Sequence, residues 1–139
     1  MNTRTEEQPR IRLHKPEHFE KMRKAGHLTA QLLDILVEAA KPGVTTAALD
    51  RICVEFAHDN NAIPATIGYR GYKYALCTSI NHVVCHGMPN DKPLIEGDIV
   101  NIDVTLIVDG WYGDTSRMVN IGNVSRAAER LVEITYECL

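Results

Sequence analysis

Residues 97–118 constrain the fold of this chain more than any other stretch of its sequence. They read GDIVNIDVTLIVDGWYGDTSRM, with Asp109-Gly110 between two segments in which apolar and polar residues alternate. An Asp-Gly pair flanked by such segments is typical of a two-residue hairpin turn of the primed type. We therefore predict two antiparallel strands, one over residues 99–108 and a partner over about residues 111–121.

The turn fixes which residues of the two strands oppose each other, and therefore which residues share a face of the sheet. The predicted opposed pairs are Val108 with Trp111, Thr105 with Asp114, and Asp103 with Ser116. The apolar face comprises Val100, Ile102, Val104, Leu106 and Val108. The polar face comprises Asn101, Asp103, Thr105, Asp114 and Ser116. We expect helices to cover the apolar face.

Asp103 and Asp114 are predicted to be diagonal neighbours on the polar face, roughly 7–8 Å apart at the backbone. Two carboxylates this close repel each other, which raises one pKa unless a cation lies between them. A hard divalent metal ion would supply that charge, because it prefers oxygen ligands. A solvated polar face is the alternative, since antiparallel sheets commonly have one wet face. Asp98 and Asp109 fit turns, in which aspartate is common.

Helices are predicted on both sides of the hairpin. Pro16-Glu17 begins the first helix and Pro42-Gly43 ends it. Its apolar face, at spacings of three and four, comprises Met22, Ala25, Thr29, Leu32, Leu33, Leu36 and Ala40. A second helix is capped by Thr45 or Thr46 and ends at Asn60-Asn61, and its buried side comprises Leu49, Ile52, Cys53 and Phe56. A third helix begins near Ser125, with Leu131, Ile134 and Cys138 on one side.

The period changes to two after the second helix, where LCTSIN and VVCHG are predicted to be short strands. Residues 11–14 fit a short strand or an extended lead-in, and residues 1–10 fit a flexible tail. Helices, then strands, then a helix predict an α+β domain with an antiparallel sheet covered by helices on one face. We predict one domain over residues 11–139.

Composition and charge exclude several functional classes. The net charge of −3 and scattered basic residues argue against nucleic-acid or membrane-surface binding. No apolar run approaches the ~18 residues of a transmembrane helix, and the N-terminus lacks the apolar segment of a signal peptide. The four cysteines form no CxxC pair, which fits reduced thiols in the cytoplasm. Cys77 and Cys85 are predicted to be buried small residues rather than nucleophiles.

Three blocks of sequence resemble one enzyme family in order and spacing. NHVVCHGMP, GDIVNIDVT and DGWYGDTSRM are similar to the type I methionine aminopeptidases, which are pita-bread metallopeptidases. KMRKAGHLTAQLL, KPGVTTAALD and PATIGYRGY are similar too, so the resemblance covers about residues 11–139. The resemblance implies the N-terminal half of a pita-bread, or creatinase/aminopeptidase-like, fold.

The resemblance implies a metal-dependent aminopeptidase that removes the initiator methionine from nascent proteins when the second residue is small. Such a site holds a pair of divalent ions, which could be Co, Mn, Fe, Zn or Ni, on two Asp, one His and two Glu. Asp103 and Asp114 match the two Asp ligands, and His86 matches the catalytic histidine that contacts the scissile peptide. The positions matching the methionine side-chain pocket are Tyr69, Tyr72 and Cys77. The implied substrates are the N-terminal Met-peptides of nascent proteins, including chains still associated with the ribosome. The implied intact enzyme is a monomer.

The remaining His and both Glu ligands have no match in this chain, because family members carry them in a second half. We therefore expect a truncated chain with little or no peptidase activity alone. One alternative is a non-catalytic pita-bread module that binds peptides or proteins. Another is a relative that cleaves before proline or acts on creatine, although the CHGMP block and the tyrosine loop fit methionine removal better.

Overall fold

The computed structural model describes Ile11 and residues 13–139. Within these residues the helices are α1 (Pro16–Ala39), α2 (Thr46–Asp59) and α3 (Arg126–Glu137). The strands are β1 (Ile63–Pro64), β2 (Leu76–Ile80), β3 (Ile99–Val108) and β4 (Trp111–Asn120). A short 3-10 turn spans Tyr69–Gly71. The predicted tail, residues 1–10, lies outside the described residues, and Ile11, Leu13 and His14 belong to no helix or strand.

Strand β3 is the centre of an antiparallel four-stranded sheet. It pairs with β4 along one edge and with β1 and β2 along the other. The hairpin register is the predicted one, with Asp103 opposite Ser116 and Thr105 opposite Asp114. Asp109 and Gly110 have φ of +51° and +80°, as a primed turn requires. The sequence-based prediction of the hairpin is therefore confirmed.

Helix α1 covers the apolar face of the hairpin, as predicted. The residues of that face on β3 are fully buried or nearly so: Val100, Ile102, Val104, Leu106 and Val108. The α1 residues buried against them are Ala25, Thr29, Leu32, Leu33 and Leu36. The prediction for Met22 is wrong, because its side chain is 44% exposed. Met22 lies beside Gly110 and Trp111, where the hairpin turns and no further strand can cover it.

Gly113 in β4 lets α1 approach the sheet closely. A Cβ atom at this position would lie 2.4 Å from the carbonyl oxygen of Ala25, well inside van der Waals contact. The Thr29 hydroxyl donates to the Ala25 carbonyl oxygen at 2.8 Å and lies 3.3 Å from the Gly113 carbonyl oxygen. The contact fixes β4 beneath α1 at the residue before Asp114.

Helix α2 is joined to β2 by a side chain that the sequence analysis did not single out. Asp50 accepts a hydrogen bond from the Ala75 backbone N–H at 2.7 Å, and burial raises the pKa of this carboxyl. Thr45, rather than Thr46, caps the helix by accepting from the Ala48 N–H at 3.1 Å. On the predicted buried side, Leu49 and Cys53 are buried, whereas Ile52 and Phe56 are half-buried.

Helix α3 begins as predicted but has no buried residue. Ser125 caps it by accepting from the Ala128 N–H at 3.2 Å. Leu131 and Ile134, on its predicted apolar side, are 60% and 44% exposed. Across the described residues, every helix is too short or too polar to span a membrane.

The segment VVCHG, residues 83–87, is not the strand that the sequence predicts. Asn81 and His86 have φ of +51° and +54°, a left-handed conformation that interrupts any strand. Val84 is 92% exposed, so the alternation of apolar residues here does not reflect burial. Cys85 is also exposed, and the prediction that it is buried is wrong.

Candidate active site

A pocket of about 720 Å³ opens on the polar face of the sheet. Its wall is the loop of residues 66–74, and its floor is formed by β2, β3 and β4. The structure brings every predicted site residue into this pocket: Tyr69, Tyr72, Cys77, His86, Asp103 and Asp114. Residues far apart in the sequence therefore share one cavity.

The floor of the pocket carries the two aspartates. Asp103 is half-buried, opposite Cys77 on β2 and Ser116 on β4. Asp114 is exposed and accepts a hydrogen bond of 2.8 Å from the Thr105 hydroxyl. Burial raises the pKa of Asp103, and the Asp114 carboxylate raises it further, against a smaller opposing effect of His86. The two carboxylates thus repel each other across the pocket floor.

The aspartate pair fits part of a site for a divalent cation. Hard divalent ions bind carboxylate oxygens, and a cation here would offset the repulsion that raises the Asp103 pKa. The part of the chain that the structure describes contains no group of three or more His, Cys, Asp or Glu side chains that could hold a metal ion. These residues therefore offer carboxylate ligands but no closed metal site. Asp98, as predicted, has a turn role, accepting from the Ile95 N–H at 3.0 Å.

His86 is held at the pocket by the residue that follows it. Gly87 accepts a hydrogen bond from the Thr78 N–H at 2.8 Å and donates its own N–H to the Ser79 hydroxyl at 3.1 Å. A Cβ atom on Gly87 would lie 2.1 Å from the Thr78 carbonyl oxygen, so only glycine fits against β2. This close contact and the left-handed backbone of His86 together place the imidazole at the pocket wall.

Tyr72 and Cys77 form the less polar side of the pocket. The Tyr72 phenol lies 3.1 Å from the Leu76 carbonyl oxygen and 3.2 Å from that of Gly87, to which it can donate. Burial raises the pKa of this phenol, so it remains a neutral donor. Burial also raises the pKa of the Cys77 thiol, which disfavours the thiolate that nucleophiles and metal ligands require. Tyr69 is 65% exposed at the mouth.

The residues that hold these side chains in place were not predicted from the sequence. Ser79 and Gly87 meet across eight positions of sequence, and no local pattern signals such a contact. Thr105 could have been found, because the predicted register already placed it opposite Asp114. Its hydroxyl is the natural donor to a carboxylate on the facing strand.

Comparison with known proteins gives one consistent family. Residues 20–139 match metallopeptidase family M24. The methionine aminopeptidase of Rickettsia prowazekii is 54% identical over 129 residues, which cover 93% of this chain and 50% of that protein. That of Escherichia coli K12 is 50% identical over 131 residues, with the same shares covered. The crystal structure of the Rickettsia prowazekii enzyme aligns with a TM-score of 0.90 at 55% identity, covering 92% of this chain and 52% of that one.

The chain spans about half the length of the curated relatives it matches. Its antiparallel sheet, covered by helices on one face, is the half of the pita-bread fold that the sequence predicted. The match includes the strands that carry Asp103 and Asp114 and the loop that carries His86. With the family match extending over residues 20–139, the chain belongs to metallopeptidase family M24.

Proposed function

We propose that this chain is the first half of a methionine aminopeptidase, which removes the N-terminal methionine from proteins whose second residue is small. One observation carries the proposal: two aspartates, a histidine and an aromatic wall share a single pocket. The likeness to methionine aminopeptidases supports the choice of substrate. We propose nascent proteins in the cytoplasm as the substrates and a monomer as the intact form.

Asp103 and Asp114 are proposed to hold divalent metal ions, two in an intact site, chosen among Co, Mn, Fe, Zn and Ni. Bound ions would polarise the scissile carbonyl and lower the pKa of a bound water molecule. Thr105 orients the Asp114 carboxylate through their 2.8 Å hydrogen bond. This bond leaves the second oxygen of Asp114 available to a cation. Burial and the Asp114 carboxylate raise the pKa of Asp103, and a bound cation would favour its ionised form.

His86 is proposed to steady the peptide during cleavage. Its exposed imidazole lines the pocket, and the contacts of Gly87 with β2 hold the backbone next to His86 at the pocket. A hydrogen bond from this ring to the peptide nitrogen or to the oxygen of the tetrahedral intermediate would stabilise the transition state more than the ground state.

Tyr69, Tyr72 and Cys77 are proposed to contact the methionine side chain. A thioether packs well against aromatic edges, and the Tyr72 and Tyr74 rings meet edge to face with centroids 5.8 Å apart. The protonated Cys77 thiol adds a small apolar surface beside them. The alternative of a non-catalytic binding module is less favoured, because loss of the aspartates would be its usual sign and both are present here.

The remaining His and two Glu ligands are proposed to come from a second half, as the resemblance implies. The test is an assay of Met-Ala-Ser cleavage with Mn²⁺ or Co²⁺. The chain is measured alone and mixed with a polypeptide that supplies the unmatched half of the Escherichia coli relative. We expect no detectable turnover by the chain alone and measurable turnover by the mixture.

The Asp103→Asn and Asp114→Asn variants should abolish turnover by the mixture. Asp91→Asn removes the same charge from an exposed loop residue outside the pocket. This variant should retain turnover by the mixture. Brisk cleavage by the chain alone would contradict the need for further ligands. Peptide binding without cleavage in every mixture would favour the binding module instead.

A further inference from the structure

Two basic side chains stand at the mouth of the pocket, away from its acidic floor. Arg70 and Lys73 are exposed, and both line the cavity that contains Asp103 and Asp114. Among the described residues neither has a carboxylate oxygen within ion-pair distance, since the ion pairs involve other side chains. The mouth of the pocket therefore carries positive charge that its own surroundings do not neutralise.

Two exposed basic residues on other surfaces of the described chain have acidic partners. Lys24 pairs with Asp109 at 2.6 Å, and Arg117 pairs with Asp34 at 2.7 Å. Arg70 and Lys73 differ from these two residues, because the acids in their cavity, Asp103 and Asp114, lie on its floor and form no ion pair with them. Their charge is therefore available to an acidic group that enters with a ligand.

The loop of residues 66–74 that carries both cations is closed by hydrogen bonds. One of 2.8 Å runs from the Gly68 N–H to the Tyr72 carbonyl oxygen, and one of 2.7 Å runs from the Thr66 hydroxyl to the Tyr74 carbonyl oxygen. Arg70 has a left-handed backbone with φ of +48°, and its guanidinium lies 5.5 Å from the centroid of the Tyr69 ring. This cation–π contact orients the charge beside the cavity before any ligand binds.

We propose that Arg70 and Lys73 make this site prefer substrate proteins with acidic residues shortly after the N-terminal methionine. The inference rests on the proposed function, in which the methionine side chain contacts Tyr69, Tyr72 and Cys77 and the scissile bond lies at the aspartates. The α-ammonium group of a substrate is attracted to the aspartates. An extended peptide advances about 3.3 Å per residue, so its third and fourth residues would lie roughly 7–10 Å beyond the methionine, toward the mouth. Acidic side chains there would meet both cations.

The test is an NMR titration of the ¹⁵N-labelled chain with three amidated peptides. Met-Ala-Asp-Asp-Ser-Ser and Met-Ala-Asn-Asn-Ser-Ser differ only in charge, and Gly-Ala-Asn-Asn-Ser-Ser removes the methionine. We expect the acidic peptide to bind roughly fivefold more tightly than its amide counterpart at low salt, from two exposed ion pairs. The ratio should approach one in about 1 M NaCl, where the Debye length is about 3 Å.

Substitutions test whether Arg70 and Lys73 cause the preference for the acidic peptide. Arg70→Gln with Lys73→Gln should bring the ratio of affinities to about one, whereas Arg70→Lys should retain most of it because the charge is kept. Lys41→Gln, at an exposed position outside the pocket, removes one unit of positive charge and should leave the ratio unchanged. A ratio that survives the double substitution would overturn the inference, because the discrimination would then arise elsewhere.

The three peptides separate this inference from the proposed function. Equal affinity for the acidic and amide peptides, with weaker binding of the glycine peptide, would overturn the inference alone. No binding of any peptide would also overturn the inference alone, because the proposed function assigns further ligands to a second half, whereas binding that does not depend on the methionine would overturn both. Tighter binding of the acidic peptide together with dependence on methionine is the result that we expect.

Discussion

The two faces of strand β3 have opposite roles although their residues alternate along one segment. Ile102 is fully buried beneath α1, whereas its neighbour Asp103 is half-buried on the floor of the pocket. The covered face is closed by Leu and Ala side chains of the helix, and the open face is bordered by the loops that line the pocket. The difference indicates that one face supplies the free energy of folding while the other retains the polar groups needed for binding.

The largest expected effect is on the covered face. Ile102→Ala would leave a cavity beneath α1, because the Ile102 side chain is fully buried. We expect the free energy of unfolding to fall by about 2–5 kcal/mol, measured by urea denaturation. Asn101→Ala, on the adjacent residue of the open face, should change it by less than about 0.5 kcal/mol. Similar losses for both variants would contradict the division between the faces.

A smaller effect on the free energy of unfolding is expected at Gly87, where the loop that carries His86 packs against β2. In Gly87→Ala the new methyl group would lie 2.1 Å from the Thr78 carbonyl oxygen, so the loop must move. We expect a loss of about 1–3 kcal/mol in the free energy of unfolding, as is typical of overpacking. The NMR signals of His86 and Tyr72 should shift with it.

Gly26→Ala is the matched control for this substitution. Gly26 lies inside α1, and an added Cβ there would meet nothing within 4 Å. Alanine should stabilise this position by about 0.5–1 kcal/mol, because it is a better helix former. If both glycine variants were stabilised, Gly87 would not be packed against β2 as described.

The smallest expected effect is the pH dependence of Asp103→Asn. Burial and the Asp114 carboxylate raise the pKa of Asp103 above its ordinary value of 3.8, so ionisation of this group disfavours the folded state. Well below pH 3.8 the group is protonated in both states, and the two proteins should differ by a constant amount. As the pH rises from about 3.8 through the folded-state pKa, the variant should gain stability relative to the original protein. Thermal unfolding at a series of pH values measures this change.

Asp109→Asn provides a control of opposite sign. The Lys24 hydrogen bond and charge lower the pKa of the Asp109 carboxyl, so its ionised form favours the folded state. The stability of this variant relative to the original should therefore fall as the pH rises toward 3.8 and remain lower above it. The same sign of pH dependence in both variants would contradict the contrast between a repelled and a paired carboxylate.

Local sequence rules predicted the hairpin and the helix starts well. The turn at Asp109-Gly110 fixes its own register, and α3 begins beside Ser125 as expected. The same rules failed for residues 83–87, because their apolar alternation resembles a strand while their conformation is set by contacts with β2. They also failed for Met22, whose helical spacing is correct but whose position lies beyond the sheet.

The prediction of the candidate site depended on both the strand register and the family resemblance. The register alone placed Asp103 and Asp114 on one face, and family resemblance identified His86 and the tyrosine loop. Neither indicated that Gly87 anchors the histidine loop or that the Tyr72 phenol can reach the Gly87 carbonyl oxygen. These contacts join Gly87, which lies in an irregular segment, to residues 8 and 15 positions away, and no periodicity predicts such pairs.

The sequence by itself determined that two carboxylates project from the same side of one hairpin, because side-chain direction alternates strictly along a strand and the turn sets the pairing. Only the tertiary structure decided which helix covers the opposite side, namely α1, and that loops from elsewhere complete the pocket. It also decided that the apolar stripe of α3 is exposed. Burial depends on what packs against a surface from distant parts of the chain, and a local pattern does not contain that information.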